Sequence, residues 1–116
     1  VDYSGSAEDV IQKIHDHMTQ HLSDRITIED LSKQFLMNPT TLKKVFKEVY
    51  GTSLALHMKQ HRMEKAAELL VRTDLSISQI ALAVGYESQS RFTAAFKDAF
   101  DTLPTAYRKK MQDKRK

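Results

Sequence analysis

At 116 residues the chain has the size of one ordinary domain, and with 41% hydrophobic residues it can fill a core. It contains no cysteine, which excludes a disulfide framework, a thiolate metal site and a thiol nucleophile, and no apolar run approaches the length of a membrane span. The net charge of +3 conceals an uneven distribution: residues 1–31 hold two basic against seven acidic side chains (−5), and residues 32–116 hold 16 against 8 (+8). A basic remainder behind an acidic leading segment suits one face meeting a polyanion while the N-terminal part points elsewhere.

Residues 1–5 read as a linker remnant. Ser6 and Asp9 have capping-box spacing and open a helix through Val10, Ile11, Ile14 and Met18 to about Leu22. Glu8 and Asp9 complement the positive end of its dipole. This helix is expected to cover the first half of the domain. His17 and His21 lie four apart on it, a spacing that recurs at His57 and His61, and two such imidazoles can hold two corners of a zinc site. No HExxH glutamate is present and the sequence supplies no evident third ligand to either pair. These histidines, with His15, are therefore read as solvated or interfacial, and no metal or cofactor is assigned.

Thr27 and Asp30 cap a short helix carrying Ile28, Leu31 and Phe35. A turn at Leu36–Asn38 follows, where Asn38 can cap the next helix and Pro39 suits its first position. Leu42, Val45, Phe46 and Val49 then form a stripe expected to be buried, ending at Gly51. On the opposite face Thr40, Lys43, Lys44 and Lys47 line up at helical spacing. The longest helix follows, from about Ser53 to Arg72, with Leu54, Met58, Arg62, Met63, Ala66, Leu69 and Leu70 along it. Its ~19 residues would span roughly 28 Å.

The opening pattern then returns. Ser76 and Gln79 form a capping box, Ile77, Ile80, Ala81 and Val84 an apolar face, and Gly85 a helix stop. After the turn, Phe92, Ala95, Phe96, Ala99 and Phe100 mark the inner face of a second helix, whose other face carries Gln89, Ser90, Thr93, Ala94 and Lys97. Pro104 starts a last helix that holds Tyr107 and Arg108 and runs into the basic tail KKMQDKRK. Aligned on Phe46 and Phe96 the two copies match at an offset of 50, and their leading short helices match at 49, so the second turn is one residue longer. The expected fold is all-α: two helix-turn-helix subdomains, residues 6–52 and 73–116, joined by a long central helix over 53–72, with about seven helices altogether.

The run Ile77, Ile80-Ala81, Gly85-Tyr86, then Ser88, Ser90, Phe92 and Phe96-Lys97, then Pro104 and Tyr107-Arg108, resembles the signature of the AraC/XylS family of bacterial transcription regulators. The resemblance continues upstream through Arg62-Met63, Ala66 and Leu69-Leu70, and more loosely to Ile26, about 80 residues in all. It implies two helix-turn-helix units in one chain and an aromatic, Tyr107, closing the second core. Four positions depart from the pattern. Ala94 fills a slot that often holds a larger polar residue, so the second unit is expected to read fewer bases. Asp101 replaces a Gly and Leu103 a small hydroxyl residue, both weakening the capping there. Leu36 stands where the second copy has Gly85, so the first turn is expected to be strained or differently shaped.

The function this implies is sequence-specific binding of double-stranded DNA for transcription regulation, with two recognition helices in adjacent major grooves. A stiff central helix would hold those helices near the ~34 Å groove repeat. Base-edge contacts fall to Thr40, Lys43 and Lys44 in the first unit and to Gln89, Ser90 and Thr93 in the second. Phosphate contacts fall to Lys33, Lys47, Arg91 and Lys97. RNA polymerase is a further candidate partner. An N-terminal effector-sensing part is expected to precede this chain, and the expected location is the cytoplasm, at the nucleoid. The competing class is a helical protein-interaction module without DNA binding. An enzyme is not expected, because no nucleophile sits in a recognisable local motif.

Overall fold

The computed structural model describes residues 6–114; the presumed linker remnant 1–5 and the last two residues lie outside them. Among the described residues there are seven helices and no strand: α1 (Ala7–Gln20), α2 (Ile28–Gln34), α3 (Pro39–Tyr50), α4 (Leu54–Arg72), α5 (Ile77–Ala83), α6 (Gln89–Phe100) and α7 (Pro104–Lys114). What was read as a basic tail is thus largely helical.

The starts of these helices follow from their caps. At Thr27 and Ser76 both arms of the capping box form, with Asp30 and Gln79 as the reciprocal partners. The Asp30 carboxyl accepts from the Thr27 backbone N–H at 3.1 Å, and its pKa is held below the ordinary carboxylate value first by that bond and then by the Thr27 hydroxyl. The cap's contribution is therefore present above the ordinary carboxylate range and is lost as pH falls through the lowered folded value. Ser6 supplies one arm only, its hydroxyl accepting from the Asp9 N–H at 3.1 Å.

The chain divides into two compact units between Lys59 and Gln60, inside α4. In the first, α1 packs on α3. Ile11, Ile14, Leu31, Leu42 and Phe46 are wholly buried there, with Leu54 and Met58 from the start of α4. In the second, Met63, Ala66 and Leu70 of α4 join Ile80, Val84, Phe92 and Phe96. The repeat is reproduced helix for helix: α3 and α6 have 12 residues each and α2 and α5 have seven. Val49 and Ala99 depart from the expected stripes. They lie on the exposed side of the last turns, Val49 at 41% exposure, because the cores end at Tyr50 and Phe100.

The leading helix of each unit closes in the same way, although the turn after it spans 35–38 in the first unit and 84–88 in the second. Leu36 (φ 53°) and Gly85 (φ 89°) are left-handed, and the following N–H reaches back to close the helix end, Met37 to the Ser32 carbonyl at 3.1 Å and Tyr86 to the Ala81 carbonyl at 2.8 Å. Leu36 therefore leaves the helix closure unchanged and carries the cost of a side chain in a left-handed conformation. The same equivalence ends α3 and α6. Gly51 (φ 75°) and Asp101 (φ 57°) both donate to the fourth carbonyl back, at 2.8 and 2.7 Å. Leu36 is 80% exposed and gives up little packing when removed. Leu36→Gly is accordingly expected to raise unfolding free energy by about 0.5–1 kcal/mol in urea denaturation. Gly51→Ala, at a site with open space around it, is expected to lower it by about as much through backbone strain alone.

Candidate nucleic-acid interface

The two second helices of the repeats, α3 and α6, begin at matched N-caps. Asn38 accepts from the Thr40 N–H at 2.8 Å, and Ser88 accepts from the Arg91 N–H at 3.3 Å. Burial follows the same register in both: Leu42, Val45 and Phe46 are buried in α3, and Phe92, Ala95 and Phe96 in α6. Each helix is thereby fixed in rotation, and the side chains opposite the buried stripe are turned to solvent.

On α3 that places Thr40, Lys43, Lys44 and Lys47 on the exposed side, with Lys33 exposed on α2. On α6, Gln89, Ser90, Arg91 and Lys97 are exposed, and Thr93 is half-buried. The first unit therefore carries its predicted residues on α3, with Lys33 on α2, and the second carries all of its own on α6. At the offset of 50, Thr40 corresponds to Ser90, Lys43 to Thr93, Lys44 to Ala94 and Lys47 to Lys97. The first surface is cationic through its middle turns; the second offers amide and hydroxyl groups flanked by Arg91 and Lys97. Such surfaces can attract phosphates and hydrogen-bond base edges.

Aromatic contacts brace each helix from behind. In the second unit Tyr86 meets Phe92 edge-on, with centroids 5.9 Å apart, and Tyr107 meets Phe96 edge-on at 5.4 Å. Burial raises the Tyr86 pKa, opposed by the positive charge of Arg62, so its hydroxyl stays protonated. In the first unit the slot equivalent to Tyr107 holds His57, which also meets Phe46 edge-on at 5.4 Å.

Arg108 has a role that the sequence did not disclose. Its Nε donates to the Leu70 carbonyl at 3.0 Å, and its Nη2 donates to the carbonyls of Leu75 at 2.7 Å and Thr73 at 3.4 Å. It thus ties the end of α4 and the lead into α5 to α7. The first-unit equivalent is Met58, an apolar core residue, so the repeat carried no hint of this. Arg108→Met is expected to cost about 1.5–3 kcal/mol in urea denaturation, the range for hydrogen bonds to charged groups.

No helix among the described residues is long and apolar enough to cross a membrane.

Comparison with known proteins agrees with this fold. The family profile described as a helix-turn-helix domain matches residues 31–110. The HTH-type transcriptional regulator ExsA of Pseudomonas aeruginosa is 33% identical over 98 residues, covering 84% of this chain and 35% of ExsA. The chain thus spans about a third of that relative's length. Among solved structures, the C-terminal domain of AraT, a response regulator from Geobacillus stearothermophilus, superposes with a TM-score of 0.84 at 34% identity, over 87% of this chain and 84% of that one. The DNA-binding domain of AdpA, solved with a target DNA, shares the fold at a TM-score of 0.86 and 22% identity, over 90% of this chain and 95% of that one.

Proposed function

The chain belongs to the AraC/XylS family of helix-turn-helix transcription regulators, and from that premise we propose that α3 and α6 read two adjacent major grooves of one operator. Members of this family bind DNA to regulate transcription and are not enzymes, and this chain is such a DNA-binding domain. The observation that carries the finer reading is the repeated register: two 12-residue helices, each pinned by the same buried stripe, turn equivalent polar faces outward.

In this reading Lys43 and Lys44 donate to guanine acceptors, Thr40 hydrogen-bonds beside them, and Gln89 holds an adenine edge with both ends of its amide. Ser90 reaches a neighbouring edge. Half-buried Thr93 touches a base only at close approach, and exposed Ala94 adds no hydrogen bond, so the second helix reads fewer positions than the first. Lys33, Lys47, Arg91 and Lys97 attach to phosphates and set the register. An effector-sensing part preceding the chain, a contact to RNA polymerase and a location at the nucleoid extend the same proposal; the greater length of ExsA supports the first of these.

A salt titration tests the reading. Binding to a random duplex should weaken steeply between 50 and 200 mM salt, by about 10³-fold if roughly six phosphates are neutralised. An affinity that hardly changes over that range would contradict it.

A further inference from the structure

We propose that His15 and His57 form a proton-sensitive clasp that fastens α1 to the first turn of α4 within the first unit and releases it below about pH 6. The two rings are partly buried, and their Nε2 atoms face each other at 2.9 Å although they lie 42 residues apart in sequence. At that distance one ring donates its Nε2–H and the other accepts with its lone pair. The bond needs one hydrogen between the rings and fails when both Nε2 atoms carry one.

The groups around the pair suit one positive charge and not two. On α1, the Asp16 carboxylate lies 3.2 Å from the His15 Nδ1. From α3, the Tyr50 ring stacks on His15 with centroids 4.5 Å apart and meets His57 at 5.1 Å. Burial first, and then the Asp16 charge, raise the Tyr50 pKa, so its hydroxyl stays neutral through the histidine range. On α4, His61 follows His57 by one turn, so it can add positive charge but no counter-charge. Asp16 can offset a single imidazolium, and the face of the Tyr50 ring favours a cation. A second imidazolium would meet the first at 2.9 Å with no acceptor between them, and the like charges repel.

What the clasp fastens is a large share of the first core. α1 packs on α3 and contributes Val10, Ile11, Ile14 and Met18 to the cluster that holds Leu42 and Phe46. With α1 released, both imidazoles are free to take protons, as ordinary histidines do near pH ~6.5. The released form then binds about one proton more than the docked form. Stability rises with pH wherever the opened state binds more protons, so docking of α1 is supported above that range and is lost as pH falls below it. In the second unit Tyr107 fills the equivalent slot against Phe96, so the device belongs to the first unit alone.

The test is hydrogen exchange of the whole chain at about pH 7.5 and about pH 5.0, corrected for the chemical exchange rate at each pH. Protection of the α1 amides should fall by about tenfold between the two. His57→Phe keeps a ring against Phe46, and His15→Phe keeps one against Tyr50. In each the fall should shrink to less than about twofold. The paired change His17→Gln and His21→Gln should retain the tenfold fall, as should His61→Gln. Circular dichroism at the higher pH shows whether each variant is folded; where one ring variant is not, the other decides. Wild-type protection that falls by less than about twofold would overturn the proposal. So would a tenfold fall that persists in either folded ring variant, or its loss in the His17/His21 or His61 variant.

Discussion

Phe96→Ala is expected to lower the unfolding free energy by about 3–5 kcal/mol, the range for emptying a well-packed aromatic site. Phe96 is wholly buried. Its ring sits between Phe100, 4.6 Å away by centroids, Tyr107 at 5.4 Å and Phe92 at 6.0 Å. These neighbours come from α6 itself and from α7, so no single side-chain shift closes the void. The loss should appear in urea denaturation as a lower midpoint, and amide exchange should speed up in α5, α6 and α7. Because Phe96 fixes the rotation of α6, DNA affinity should fall as well, although Phe96 faces away from the proposed groove surface. A cost below about 1 kcal/mol would mean that the second core is not built around this ring.

The combined variant Lys44→Ala/Gln89→Ala is expected to weaken binding to the preferred operator by about 2–6 kcal/mol, from about 1–3 kcal/mol for each change. Lys44 is exposed in the middle of α3 and Gln89 in the first turn of α6. Neither takes part in a core, so stability should change little. In the proposed reading the two touch different base pairs, and their effects should therefore add. Each single variant should also relax preference at one base position. Fluorescence anisotropy with the operator and with a mismatched duplex measures both quantities. Wild-type affinity and selectivity in both single variants would show that these helix faces were wrongly assigned.

What the sequence disclosed was local or periodic. Thr27 with Asp30, Ser76 with Gln79, and Asn38 before Pro39 located helix starts because a cap is decided within four residues. The stripes through Phe46 and Phe96 gave the buried faces, and their offset of 50 gave the repeat. The stripes overreached at Val49 and Ala99, because periodicity does not say where a core ends. Leu36 and Asp101 looked like departures that should reshape or weaken their helix ends. Both adopt the left-handed conformation of their glycine counterparts, because the surrounding turn imposes it. Long-range partners were not legible. Nothing in the spacing joins His15 to His57 or Arg108 to the carbonyls of Leu70 and Leu75; those contacts arise only when distant helices pack.

Selection of bound sites from a random duplex library, with the wild-type chain and with Lys44→Ala and Gln89→Ala separately, tests the paired-helix reading most directly. The expected result is two short blocks of preferred bases centred about 10–10.5 base pairs apart, with Lys44→Ala blurring one block and Gln89→Ala the other. A single preferred block, or blurring of the same positions by both variants, would contradict it.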